Sequence, residues 1–264
     1  MPFANNDGVK IHYEVEGQGS PIVLVHGYTR SLEDWRNFGF VSELKNDHQL
    51  ILIDVRGHGK SDKPDNLNAY SLKTMAEDVT TIMDELNIER AHYLGYSMGG
   101  IIGFYGMARY YLPRLNSLIL GGFAAYLDEN GFQAPKRIVN LAQSTVEKGM
   151  QIFISAFEKE FGIKLERSYY MSLNPRALFI IQKNFKETFS EGIDDEITAK
   201  INIPCLFYLG EFDSQRLTGA KKTTDEISGA RFISFPQLDH WTAIVRSDLV
   251  IPHIKKFLED VEKD

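Results

Sequence analysis

Ser97, Asp213 and His240 are residues of the three types that a nucleophilic mechanism needs, and they stand in the chain order nucleophile, acid, base. A serine hydroxyl is a weak nucleophile at neutral pH, so it requires a base beside it and a third group to orient that base. Ser97 lies in "YLGYSMGG", a G-x-S-x-G string with Gly95 two residues before it and Gly99 two after. Asp213 ends the apolar run "PCLFYLGEFD", and His240 follows "RFISF" in "PQLDHW". The chemistry this constellation suits is attack on a carbonyl carbon with acyl transfer to water.

Each residue also has an ordinary reading. Ser97 would merely cap a helix after a glycine-rich turn, Asp213 would be a turn former, and His240 a loop histidine bonded for structure. Together they favour chemistry. Asp239 adjoins His240, but neighbouring residues rarely point the same way, so it is expected to shape the loop. Glu211 remains open as the acid if the strand ends early. His12 and His92 sit in strand patterns, His48 precedes one and His253 lies in the last helical pattern, which suits structural roles.

A tetrahedral intermediate needs donors for its oxyanion, and backbone N–H groups at a helix start supply them without reorganisation. Met98, directly after the serine, is expected to give one. The loop after "IVLVHG" is expected to give the other, through the N–H of Tyr28. In that loop Gly27 is expected to allow close backbone approach and His26 to hold the loop by hydrogen bonds. Cys205, the single cysteine, sits in "IPCLFYLG" and reads as a buried structural thiol.

These residues must be brought together by elements that alternate. "VKIHYEVEG" alternates as a half-exposed strand does, and "PIVLVHG" is continuously apolar, as a strand buried on both faces is. "SLEDWRNFGFVSELKN" reads as helix, "QLILIDVRG" as strand and "YSLKTMAEDVTTIMDELNI" as helix. In this last segment Leu72, Met75, Ala76, Val79, Ile82, Met83 and Leu86 form one apolar stripe, with Glu77, Asp78, Asp84 and Glu85 outside it and Ser71 as N-cap. Strand "AHYLGYS", helix "MGGIIGFYGMARYYL" and strand "LNSLILGGF" follow. The succession predicts an α/β fold with a mostly parallel central sheet flanked by helices.

After Gly122 the rhythm changes to helical periods without a buried strand. The sheet pattern resumes with "IPCLFYLGEFD" and "ARFISFPQLDH", and an amphipathic helix from about Asp248 to Val261 closes the chain. The expected organisation is a core of residues 1–122 and 198–264 with helices inserted over 123–197. The insertion carries many aromatic residues, among them Phe132, Phe153, Phe157, Phe161, Tyr169, Tyr170, Phe179, Phe185 and Phe189. Tyr96, Trp241, Phe153 and Phe157 are the candidates for contact with substrate.

Composition bounds the partners. The chain has 264 residues, 43% hydrophobic and 25% charged, with a net charge of −7, so the basic footprint of a nucleic-acid binder is missing. No run reaches the roughly 18 apolar residues of a membrane span, and the N-terminus lacks a basic start followed by an apolar stretch. A cytoplasmic protein acting on a small molecule, without cofactor or metal, is expected.

The strings "VHGYTRSLEDW", "IDVRGHGKSDKP", "GYSMGG", "GEFD" and "LDHW", in order, make the chain resemble the α/β-hydrolase fold family over nearly its whole length. The resemblance implies Ser97 as nucleophile, Asp213 as acid, His240 as base and Tyr28 and Met98 as oxyanion donors. It implies that the insertion is a helical cap, and that Arg56, Gly57, His58 and Gly59 stabilise the fold. Branches of the family that resemble haloalkane dehalogenases or epoxide hydrolases carry an aspartate where Ser97 stands, which argues against both. A carboxylesterase for a small to medium hydrophobic substrate is expected. A lactonase, a carbon–carbon bond hydrolase or perhydrolase, and a ligand receptor stay open. Carbon–carbon cleavage of an acidic substrate would call for basic groups such as Arg30, Arg137 and Arg216.

Overall fold

The computed structural model describes residues 2–126, 129–162, 164–190 and 195–263, with side chains except those of 129–135, 160–161, 190 and 195–196. The side chains of Phe132 and Phe161 therefore lie outside the described residues. Eight strands form one sheet: β1 (Phe3–Asn6), β2 (Val9–Glu16), β3 (Ser20–Val25), β4 (His48–Ile53), β5 (Ala91–Tyr96), β6 (Leu115–Gly121), β7 (Cys205–Gly210) and β8 (Arg231–Phe235). Their spatial order is β1-β2-β4-β3-β5-β6-β7-β8, with β1 and β2 antiparallel to their neighbours and the rest parallel. This is the mostly parallel sheet expected from the alternation of apolar runs and helical periods.

The continuous apolar strands follow from burial on both faces. Val23, Val25, Ile51, Ile53, Tyr93, Leu118, Leu120 and Phe207 enter one core, packed by helix α3 (Leu72–Glu85) and the segment after Ser97. Their sequence neighbours Ile22, Leu24, Leu50, Leu52, Leu94, Ile119 and Leu206 enter a second core, packed by α1 (Glu33–Asn37), α2 (Phe40–Leu44) and α12 (Ser247–Val261). Cys205 is fully buried, and burial pushes its thiol up to about 12, so it is a thiol, not a thiolate, at neutral pH. Ser71 caps α3, its hydroxyl accepting from the Thr74 N–H at 3.1 Å.

Several local expectations change. The helix read across "SLEDWRNFGFVSELKN" is two helices, because Gly39 takes φ +84° between α1 and α2. The helix read from Met98 to Leu112 runs to Tyr110, but after its first turn, α4 (Met98–Ile101), it widens into π-type bonding over Ile102–Ala108. Strand β1 went unseen, since "FANN" is too short to show a period. Asp78 is buried instead of facing water: its carboxylate takes the Arg56 guanidinium bidentately, with Nε–Oδ2 at 2.6 Å, and accepts from Asn6 Nδ2 at 2.8 Å.

Between β6 and β7 the described residues are helical: α5 (Glu129–Lys148), α6 (Met150–Phe161), α7 (Arg167–Met171), α8 (Pro175–Ser190) and α9 (Asp195–Lys200). Phe153, Ile154, Leu165, Tyr170 and Leu178 form a small core of their own, whereas Ile181, Phe185 and Ile197 join the sheet's core. The boundary read at residue 197 thus falls inside α9. Helices α10 (Ser214–Asp225) and α11 (Thr242–Val245) follow β7 and β8. Among the described residues no helix is long and apolar enough to cross a membrane.

The buried pair of Arg56 and Asp78 gives a stability test. Arg56→Met strands a buried carboxylate and is expected to cost about 3–5 kcal/mol in urea unfolding. The double variant Arg56→Met/Asp78→Leu is expected to recover much of that loss, and equal losses in both would contradict the pairing.

Candidate active site

Strand β5 runs into α4 through Ser97, whose backbone stands at φ +52° and ψ −106°. A non-glycine residue in such a conformation costs about 1–3 kcal/mol and persists only where its surroundings fix it. Here the Ser97 N–H donates to the Gly121 carbonyl at 2.8 Å, and the Ile101 N–H donates to the Ser97 carbonyl at 3.0 Å. A Cβ on Gly95 would lie 2.4 Å from the Gly99 carbonyl oxygen, and one on Gly99 only 2.0 Å from that of Val25. Gly27, expected to be the point of close approach, would tolerate a Cβ at 3.6 Å from that of Ser97. The tight contact is made by the other partner in the turn, Gly99.

The three sequence-selected residues meet at the carboxyl edge of the sheet. Ser97 Oγ lies 3.1 Å from His240 Nε2, and His240 Nδ1 lies 2.7 Å from Asp213 Oδ2. A carboxylate only accepts, so Nδ1 carries the proton and Nε2 is left to accept from the serine hydroxyl. The Asp213 side chain is 3% exposed, and its second oxygen accepts from Arg216 Nη1 at 2.9 Å. Burial alone would raise the Asp213 carboxyl, but His240 and Arg216 overcome it and hold it down to about 2. Burial lowers the His240 imidazole and the Arg216 charge lowers it further, against the opposing pull of Asp213.

The competing carboxylates go elsewhere. Asp239 Oδ1 accepts from the Trp241 and Thr242 N–H groups at 3.0 and 2.7 Å, which closes the loop that carries His240. Glu211 Oε2 accepts from the Gln237 N–H at 3.3 Å. Tyr96 has a role that sequence reading missed, since its hydroxyl donates to the His240 carbonyl at 2.5 Å. Gly122 is a second: a Cβ there would sit 2.9 Å from His240 Cε1, so glycine alone leaves room for the imidazole. Arg216 is a third, noted in the sequence only as a basic residue. An Asp–x–x–Arg spacing at a helix start was its one visible signal.

The loop opposite Ser97 is held from both sides. His26 Nδ1 donates to the Gly27 carbonyl at 2.8 Å and its Nε2 accepts from the Val55 N–H at 3.1 Å. His58 Nε2 accepts from the Thr29 N–H at 3.1 Å, and burial lowers this imidazole to about 3, so it stays an acceptor at neutral pH. Between this loop and the insertion, Tyr28 Oη donates to the Leu178 carbonyl, Tyr169 Oη to the Thr29 carbonyl and Arg30 Nη1 to Tyr170 Oη, each at 3.1 Å. His12, His48, His92 and His253 take no part in the cavity lining.

Ser97, Asp213 and His240 open into a cavity of about 420 Å³. Tyr28 and Met98 line it beside the serine, and so do Tyr96, Trp241, Phe153 and Phe157. As the first residue of α4, Met98 has an N–H without an intrahelical acceptor. Arg30, Arg137 and Arg216 also reach the lining. Arg30 is committed: both Asp34 oxygens take its guanidinium, which also stacks 4.6 Å from the Trp241 ring centroid.

A family model described as alpha/beta hydrolase fold matches residues 20–199. The chain is similar to the cis-3-alkyl-4-alkyloxetan-2-one decarboxylase of Shewanella oneidensis, at 29% identity over 98% of this chain and 88% of that one. It is 33% identical to the 3-oxoadipate enol-lactonase 1 of Acinetobacter baylyi, over 80% of this chain and 79% of that one. Among solved structures, the enol-lactonase from Burkholderia xenovorans superposes with a TM-score of 0.83 at 23% identity, covering 98% of this chain and 100% of the other. The thermophilic esterase from Thermogutta terrifontis gives 0.82 at 22% identity, covering 98% of both chains. These two likenesses concern the fold.

Two measurements check the site. In an NMR titration the His240 imidazole is expected below the ordinary 6.5, and Arg216→Met is expected to raise it. Because the folded value is the lower one, the neutral ring stabilises the fold above pH 6.5, and this contribution fades as pH falls through the folded value. A wild-type midpoint above 6.5, or one unmoved in Arg216→Met, would contradict the stated balance of charges. Ser97→Gly, which relieves the positive φ, is expected to raise stability by about 1 kcal/mol in denaturant unfolding.

Proposed function

The chain belongs to the α/β-hydrolase fold family, and on that premise we propose that it is a serine hydrolase cleaving a neutral, largely hydrophobic carboxylic ester through an acyl-enzyme. The observation that carries this reading is the unbroken path from Ser97 Oγ through His240 to Asp213, at 3.1 and 2.7 Å, opening into an aromatic-lined cavity.

His240 Nε2 takes the serine proton as Ser97 Oγ attacks the ester carbonyl carbon. The oxyanion that forms is held by the N–H groups of Met98 and Tyr28, donors that need no reorganisation at the moment of reaction. His240 then gives its proton to the departing alkoxide and later deprotonates a water that releases the acid from Ser97. Asp213 stays ionised throughout, consistent with its carboxyl being held down to about 2, and stabilises the imidazolium. Helices α5 to α9 act as the cap that shapes the acyl side of the cavity.

Substrate charge follows from the arginines. Arg30 is paired with Asp34 and Arg216 with Asp213. Two of the three basic groups that an acidic substrate would use are already neutralised, which favours a neutral ester over the acidic substrates of carbon–carbon bond hydrolases. A lactone is the second reading, favoured by the likeness to a chain named 3-oxoadipate enol-lactonase. A lactone is an internal ester, so the same steps open its ring and differ only in keeping the alcohol on the acyl group.

Rapid mixing with p-nitrophenyl acetate, butyrate and octanoate tests the proposal. The wild type is expected to release a burst near one equivalent of nitrophenolate and then turn over, with the best chain length reporting the depth of the cavity. Ser97→Ala is expected to lose the burst and at least about 10³-fold in kcat while remaining folded. Turnover in that variant near the wild-type rate would end the assignment of Ser97 as nucleophile.

A further inference from the structure

Gln182 stands where the helical pattern calls for an apolar residue. Leu178, Gln182, Phe185 and Phe189 follow one another at spacings of four, three and four along α8, which places them on one face. Gln182, Phe185 and Phe189 line the cavity with Ile138 and Leu141 from α5 and Phe153 and Phe157 from α6, and beside these apolar residues α5 also brings Arg137 to the lining. Within this largely apolar chamber Gln182 is 8% exposed. The group beside its amide is the Tyr28 hydroxyl, whose own proton goes to the Leu178 carbonyl.

A primary amide offers two N–H donors and an acceptor oxygen with two lone pairs, so the contact with Tyr28 uses only part of the capacity of this cavity-lining side chain. Burying it among phenylalanines destabilises the fold unless something else uses it. Capping does not explain it, because the residue lies in the middle of α8. Nor does the serine chemistry, which employs no group on that helix.

We propose that Gln182 recognises the substrate: the acyl chain that fills this cavity bears an oxygen, as a ketone or hydroxyl, away from the scissile carbonyl, and accepts an N–H from the amide there. The substrate class is then an oxygenated acyl ester, or the lactone of one, in place of a plain hydrocarbon ester. The inference rests on the serine-hydrolase reading for its substrate class, while the polar handle in the chamber stands on its own geometry.

The experiment compares p-nitrophenyl pentanoate, hexanoate and heptanoate with their 4-oxo, 5-oxo and 6-oxo counterparts, in wild type and in Gln182→Met. Methionine keeps the length and fits an apolar chamber, and hydrolysis of the plain esters reports that the variant is folded and active. One oxo ester is expected to exceed its hydrocarbon partner in kcat/KM by about tenfold in the wild type. That preference is expected to fall to within about twofold in Gln182→Met, with the plain ester cleaved as well or better. The position of the favoured ketone measures the distance from Ser97 to the amide. No preferred oxo position, a preference that survives in Gln182→Met, or an equal loss on both kinds of ester would overturn the proposal. Calorimetric binding of the matching ethyl esters to Ser97→Ala reads the same preference without turnover. A wild type that hydrolyses no ester, with the binding preference present and lost in Ser97→Ala/Gln182→Met, would sink the serine-hydrolase reading alone. Hydrolysis without any oxo preference in rate or binding would sink this one alone.

Discussion

The strained backbone at Ser97 is the constraint around which the molecule is arranged. A residue at φ +52° and ψ −106° does not hold that conformation by itself. It is held because the strand before it and the helix after it are both locked into buried layers, with Gly95 against the Gly99 carbonyl and Gly99 against that of Val25. The Tyr93 hydroxyl donates to the Gly99 carbonyl at 2.7 Å, adding a buried bond within the same turn. The residues that force the turn are thus core residues of the sheet. A hydroxyl presented at the sheet edge is the consequence, and the strain is offset by packing that the fold needs in any case.

Charge is managed as closely as shape. Asp213 faces two cations, His240 when protonated and Arg216 always, and this is why its carboxyl is held to about 2 despite burial. The same arginine works against protonation of His240, so the ring that donates to Asp213 stays neutral and its Nε2 is left to accept. Across the cavity Arg30 is cancelled by Asp34 and laid against Trp241. Arg30 and Arg216 are therefore spent on neighbouring carboxylates, which supports the proposed neutral substrate.

What the sequence disclosed and what it hid divide along the range of the contacts. Ser97, Asp213 and His240 were legible because each follows a recognisable strand, and a parallel sheet sends all such strand ends to one edge. The Ser71 cap and the apolar stripe of α3 were legible because they depend on residues three and four apart. Gly39 as a helix break was hidden inside a pattern that an uninterrupted helix also satisfies. Asp78 was hidden because Arg56, which draws it inward, is 22 residues away, and no local period registers a partner at that distance. The Tyr96 bond to the His240 carbonyl spans 144 residues and was unreadable for the same reason. Gln182 gave no signal in the sequence, since its meaning depends on which face the insertion turns toward the cavity.

The loop at residues 28–30 ties these parts together. Its three residues each bond to the insertion, Tyr28 to the Leu178 carbonyl, Thr29 through Tyr169 and Arg30 through Tyr170. From beneath, His58 accepts from the Thr29 N–H. The loop proposed to hold the oxyanion is therefore clamped between the sheet below and helices α7 and α8 above, and of these two helices α8 also lines the cavity. Helix α8 contributes Leu178 to that clamp and Gln182 to the chamber one turn later. On the proposed reading, the residue that meets the acyl chain and the carbonyl that holds the Tyr28 hydroxyl belong to one helix, so substrate recognition and the proposed oxyanion donor share a support. The insertion is thus more than a cover: a change that moved the Leu178 carbonyl would also release the Tyr28 hydroxyl and loosen the loop beside Ser97.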